Sequence, residues 1–124
     1  MAFLDRKSLL EKRAVKVQKV DLANDNHVFV KQMTGKELDA FEAMIIVRKE
    51  TDDGKVTYER ILDSFRARLA VCTLCEESGK LLLTPTDVDI LNENITAADL
   101  QTIADMASDL NKITPEKKTD ETKK

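Results

Sequence analysis

The 124-residue sequence has no tryptophan, one tyrosine, four phenylalanines, one histidine, two cysteines, two prolines and three glycines. Each scarcity narrows what the chain can be. Aromatics at 4% give a thin aromatic core and few anchors for a deep small-molecule pocket, which usually has aromatic lining. The glycines, at 35, 54 and 79, are scattered, so no phosphate-cradling loop is present. The single histidine, His27, has no Ser or Cys partner suggested by spacing, which argues against a nucleophile–base pair and leaves a strand-edge histidine. Cys72-Thr73-Leu74-Cys75 is a C-x-x-C, but a zinc site needs about four ligands, and neither a second pair nor a nearby histidine supplies them. A redox-active pair normally opens a helix, whereas this one is expected to close one. Small buried apolar residues are the favoured reading, with metal or redox use as the alternative. The D-x-D-x-D-G of a calcium loop is absent as well. The acidic pairs Glu76/Glu77 and Asp87/Asp89 therefore read as solvated helix ends rather than as a cation site or an acid–base pair.

Long apolar runs are missing too. The longest aliphatic run, residues 43–47, is far too short to span a bilayer. The opening M-A-F-L-D lacks the basic region and apolar stretch of a signal peptide, and with only two cysteines the expected compartment is the cytosol. No membrane partner, metal or cofactor is expected.

Charge is abundant, at 35% of residues with a net charge of −3. It is unevenly spread. In residues 1–20, Arg6, Lys7, Lys12, Arg13, Lys16 and Lys19 face only Asp5 and Glu11. In residues 76–109, eight acidic side chains face only Lys80. Solvated faces of opposite sign are the plain reading, and head-to-tail self-association the sharper one. The basic segment has no aromatic interleaved among its charges, which disfavours nucleic-acid binding.

The length suits a single domain, expected over residues 1–114, mainly helical with an N-terminal β-hairpin, an α+β chain. Asp5 can cap a short helix, with Leu4 and Leu9 at staple positions. Residues 14–32 then change period: Val15 and Val17 alternate with Lys16 and Gln18, Asn24-Asp25-Asn26 supplies a turn, and His27-Val28-Phe29-Val30 reads as the returning strand. Three later stretches, at Thr34, Thr84 and Thr96, each place a threonine before an acid three residues on, the pattern of a capped helix start. Pro85 falls at the first helical position. The helix from Thr34 puts Leu38, Phe41 and Ile45 on one face, with Met44, Ile46 and Val47 around its far end. Residues 51–55 read as a turn.

Residues 58–75 read as the central helix, with Ile61, Leu62, Phe65, Leu69 and Cys72 on one arc and Val71, Leu74 and Cys75 opening a second apolar side. Gly79 is expected as its left-handed terminal residue. A helix from Thr84 carries Val88 and Leu91 inward. The last one carries Leu100, Ile103, Ala107 and Leu110 and fades before Pro115. From Glu116 onward no side chain is apolar, and residues 115–124 are expected to be a disordered charged tail. Met44, Ile46, Val47, Val71 and Leu74 exceed what one core needs. They are the expected partner-binding residues, with packing between helices as the alternative.

Several stretches in order carry a resemblance: F-L-D-R-K-S-L-L at 3–10, V-F-V-K-Q-M-T-G-K-E-L-D-A-F-E at 28–42, R-A-R-L-A-V-C-T-L-C at 66–75, S-G-K-L-L-L-T-P-T-D-V-D-I-L at 78–91 and A-S-D-L-N-K-I-T at 107–114. Together they resemble the tail assembly chaperones of long-tailed, non-contractile phages and prophages. The resemblance implies a small, helix-rich, non-enzymatic protein that oligomerises and keeps the tape measure protein soluble until the tail tube forms. It implies residence in the cytoplasm of the bacterial host and absence from the mature virion. It also implies a longer form, made by programmed frameshift, that recruits tail tube protein. The alternatives are another morphogenesis component, such as a tail completion or head–tail connector protein, and a small nucleic-acid-binding regulator.

Overall fold

The structure, a computed structural model, describes residues 3–11, 14–61 and 63–113. The expected disordered tail lies outside the described residues. The fold is mixed α+β.

Helix α1 spans Arg6–Leu10, and the Asp5 carboxylate accepts a hydrogen bond from the Ser8 N–H at 2.9 Å, as a cap should. No residue of α1 is buried, and Leu4 and Leu9 are both exposed. Strands β1 (Val17–Asp21) and β2 (His27–Lys31) form the expected hairpin, antiparallel, with Val17 opposite Lys31 and Asp21 opposite His27. A short 3-10 turn at Ala23–Asp25 joins them, with Asn24 and Asp25 at positive φ, where these residue types are most tolerated. A third strand, β5 (Leu74–Cys75), pairs with β2, so the sheet order is β1-β2-β5.

All three threonine starts are present. Thr34 opens α2 (Gly35–Ile45) with a reciprocal box: its hydroxyl accepts from the Glu37 N–H at 3.3 Å, and the Glu37 carboxylate accepts from the Thr34 N–H at 2.9 Å. Thr84 opens a 3-10 turn (Pro85–Asp87) that runs into α4 (Val88–Asn94). Thr96 opens α5 (Ala97–Asn111). There the acid does something else: Asp99 does not reach back to the cap but accepts from the Ala23 N–H, tying α5 to the first hairpin.

The central helix is shorter than expected. Helix α3 runs Phe65–Thr73, beginning after Ser64 at φ 56°; Val56–Arg60 are extended instead, and Leu62 lies outside the described residues. Ala67, Leu69, Ala70, Val71, Cys72 and Thr73 are all buried, so α3 is the helix that others surround. It packs against α2, α4 and α5. Its two apolar sides belong to one core, which also takes in Val20, Val30, Phe41, Ile45, Leu100, Ile103 and Ala107. Gly79 is at φ +95° but does not end a helix. Its N–H bonds the Glu76 carbonyl at 2.8 Å, turning the chain so that Leu81 bridges back to Cys75.

The largest departure lies between α2 and α3. Helix α2 stops at Ile45, and Ile46 and Val47 begin strand β3 (Ile46–Glu50). Tyr58 lies in strand β4 (Val56–Arg60), not at the start of a helix. The two strands pair antiparallel from Ile46 opposite Arg60 to Glu50 opposite Val56. Their turn is built from T-D-D-G-K: the Thr51 N–H bonds the Lys55 carbonyl at 2.8 Å, and Gly54 takes φ +86°. That left-handed residue after a tight turn is what a short hairpin loop requires. Val47, Val56, Thr57 and Tyr58 are β-branched or aromatic and favour the extended state.

Candidate partner-binding surface

Three pieces of chain converge on one groove of about 370 Å³: the end of α2, the β3–β4 ribbon and the end of α5. Leu38, Phe41, Ile45, Ile46, Tyr58 and Ile113 give it an apolar lining, and Glu42, Glu59, Arg60, Asn111 and Lys112 supply polar groups. The floor is firm. Phe41 and Ile45 are 1% exposed, and the Phe41 ring meets Phe65 edge-on at 5.6 Å between centroids. The Arg60 guanidinium rests over Phe65 at 5.5 Å, a cation–π contact that ties the base of the ribbon to the core.

The far wall is fixed by Asn111. Its side-chain oxygen accepts from the Met33 N–H at 2.7 Å, and its amide donates to the carbonyls of Lys31 (3.3 Å) and Ala107 (3.0 Å). One side chain thus locks the end of α5 onto the segment between β2 and α2. Nearby, the buried Lys31 ammonium reaches both Glu37 oxygens at 2.8 Å. Burial pushes the Glu37 carboxyl up, but hydrogen bonds from Lys31 and Thr34 outweigh it and leave the group below its ordinary value. That pair lines a second, larger groove beside α1, where the ammonium is already engaged and offers no free charge to a ligand.

The five expected contact residues separate. Ile46 is exposed at 42% and lines the groove. Val47 is half-buried and points to the opposite face of the ribbon, as strand alternation requires. Met44 is half-buried against the core, with its sulfur 3.7 Å from Cys72 and its carbonyl accepting from Arg68. Val71 and Leu74, at 2% and 5% exposed, are core residues and present no surface. They looked surplus because α3 is buried on all sides from Leu69 to Thr73, and a helix end of that kind shows two apolar faces. In their place the structure brings Tyr58 (69% exposed) and Val56 (39%) to the ribbon, with Leu38 and Ile113 along the groove. The signal that would have found them is the D-G turn flanked by β-branched residues.

No protein family, curated protein or solved structure matches this chain. What the surface can do therefore rests on its own chemistry. The two cysteines sit in different elements, Cys72 in α3 and Cys75 in β5. Burial, with the Glu37 charge behind it, pushes the Cys72 thiol up to about 11, and burial also raises Cys75. Both are thus protonated near neutrality and lack thiolate reactivity. His27 is exposed on β2, edge-on to Phe29 at 5.5 Å. Among the described residues, no three His, Cys, Asp or Glu side chains are grouped to hold a metal ion, and no helix is long and apolar enough to cross a membrane. The groove offers apolar contact with charged rims, which suits a polypeptide.

Proposed function

We propose that this chain is a tail assembly chaperone of a long-tailed phage or prophage, acting without catalysis by covering apolar segments of the tape measure protein until the tail tube forms around it. The observation that carries this reading is the β3–β4 ribbon beside the groove. Ile46, Val56 and Tyr58 are exposed together on a ribbon that no other sheet covers among the described residues. The order of sequence stretches that resemble such chaperones supports it from a separate direction.

In this reading an apolar stripe of a partner helix lies along Leu38, Ile46 and Tyr58, with Glu42 and Lys112 at the rims. The acidic surface of α4 and α5 keeps the complex soluble. The site belongs to the bacterial cytoplasm, and the protein leaves before the virion is complete. A longer frameshifted form would bring tail tube protein to the same complex.

Coexpression with the tape measure protein of the same phage or prophage tests the reading. The partner should move into the soluble fraction and copurify. Ile46→Glu should reduce this while leaving helicity unchanged. A partner that stays equally insoluble with and without this chain sinks the idea, and finding the chain in purified virions would favour a tail completion or connector role instead.

A further inference from the structure

The β3–β4 ribbon is out of keeping with the rest of the molecule. A lone two-stranded hairpin is marginal in water. Among the described residues this one has no third strand on either edge, and nearly all its side chains are exposed. The unpaired edges are not equivalent. The Thr51 N–H bonds the Lys55 carbonyl and the Ile61 N–H bonds the Ile45 carbonyl, both across the ribbon. Antiparallel strands alternate between bonded and non-bonded pairs. The backbone groups of Val56, Tyr58 and Arg60 on β4 therefore face outward, as do those of Ile46, Arg48 and Glu50 on β3.

The β3 edge is guarded. The Ile46 N–H is already donated to the Glu42 carbonyl. A two-fold pairing over the full length of β3 would also set Arg48 against Arg48. Charges at an edge in this way commonly block pairing. The β4 edge has neither protection. Paired with itself about a two-fold axis at Tyr58, it sets Val56 opposite Arg60 of the second copy, Thr57 opposite Glu59 of the second copy, and the two Tyr58 rings side by side. No like charges face each other, and every outward N–H and carbonyl of the strand gains a partner.

We propose that two copies of this chain join through β4, forming a continuous four-stranded antiparallel sheet with Tyr58 at the dyad. The antiparallel arrangement sends the second copy's body to the far end of the sheet, away from the first. A two-fold axis perpendicular to a sheet keeps each face on its own side. Ile46, Val56 and Tyr58 of both copies therefore share one face, and the second copy's Tyr58 extends the apolar wall of the groove. The inference concerns the chain alone and holds whatever the groove binds.

Sedimentation across a concentration series, with paired proline and cysteine variants, tests it. Tyr58→Pro removes a donor that only the second copy uses, and should halve the mass. Arg48→Pro removes the equivalent outward donor of β3, and should leave the mass unchanged. Tyr58→Cys should crosslink to itself under mild oxidation, since directly bonded antiparallel partners lie about 5.5 Å apart at Cα, within reach of a disulfide. Arg48→Cys should not. The native cysteines are buried and should not compete. A wild-type chain that stays monomeric overturns the proposal. So does unchanged mass in Tyr58→Pro, or crosslinking through position 48 instead of 58. If both prolines dissociate the assembly, the crosslink decides.

Discussion

The molecule contains two hairpins of the same size with opposite fates. In β1–β2, Val20 and Val30 are buried, β5 adds a third strand, and α5 packs against the sheet. In β3–β4, no strand residue is buried, and the ribbon is anchored by its continuation from α2 and by Arg60 on Phe65. Strand propensity is similar in both. What differs is the cover, and cover is what turns a hairpin into fixed structure. A bare hairpin next to a rigid core marks where the molecule has contact surface to spare.

The sharpest way to break this comparison is truncation on each side. Phe41→Ala, under the groove floor, should cost about 4 kcal/mol in urea unfolding, as large-to-small changes in a filled core do. Tyr58→Ser on the ribbon should cost less than about 0.5 kcal/mol when measured on dilute protein. Equal losses would mean that the ribbon is as integral as the core. Next in size is Asn111→Ala. It removes three hydrogen bonds and strands partly buried backbone groups, so about 2 kcal/mol should be lost, again by urea unfolding. A near-neutral result would show that α5 is held by packing alone.

The remaining effect is pH-dependent and belongs to Glu37. Its folded carboxyl titrates below the ordinary 4.5, so the stability it contributes is present above that value. That stability is lost as the pH falls through the lowered folded value. Glu37→Gln should flatten this acid limb of stability against pH and leave the ribbon untouched. An unchanged acid limb would assign it to other carboxylates.

The parts legible in the sequence were those governed by local rules. The Asp5 cap, the threonine starts at 34, 84 and 96, the first hairpin and the inward face of α5 all follow from short-range chemistry. Residues 58–75 failed because the arc of Ile61, Phe65, Leu69 and Cys72 is a helical pattern only from Phe65 onward. Upstream, Val56, Thr57 and Tyr58 held a strand signal that the periodicity overrode. The turn at 51–55 was visible, but a turn does not state what it joins. Val71 and Leu74 could not be separated from surface residues, because an apolar side chain looks the same whether α5 or a partner covers it. The Asn111 clip spans 80 residues of sequence to Lys31, beyond the reach of any local pattern.

Tyr58 is the only tyrosine in a chain without tryptophan, and it stands on the ribbon at 69% exposure. The ultraviolet emission of the protein therefore comes from one position on the contact surface. A small collisional quencher should reach that ring freely in the dilute chain, and a partner or second copy laid over it should shield it. The unaltered protein thus reports optically on its own docking, with no dye attached.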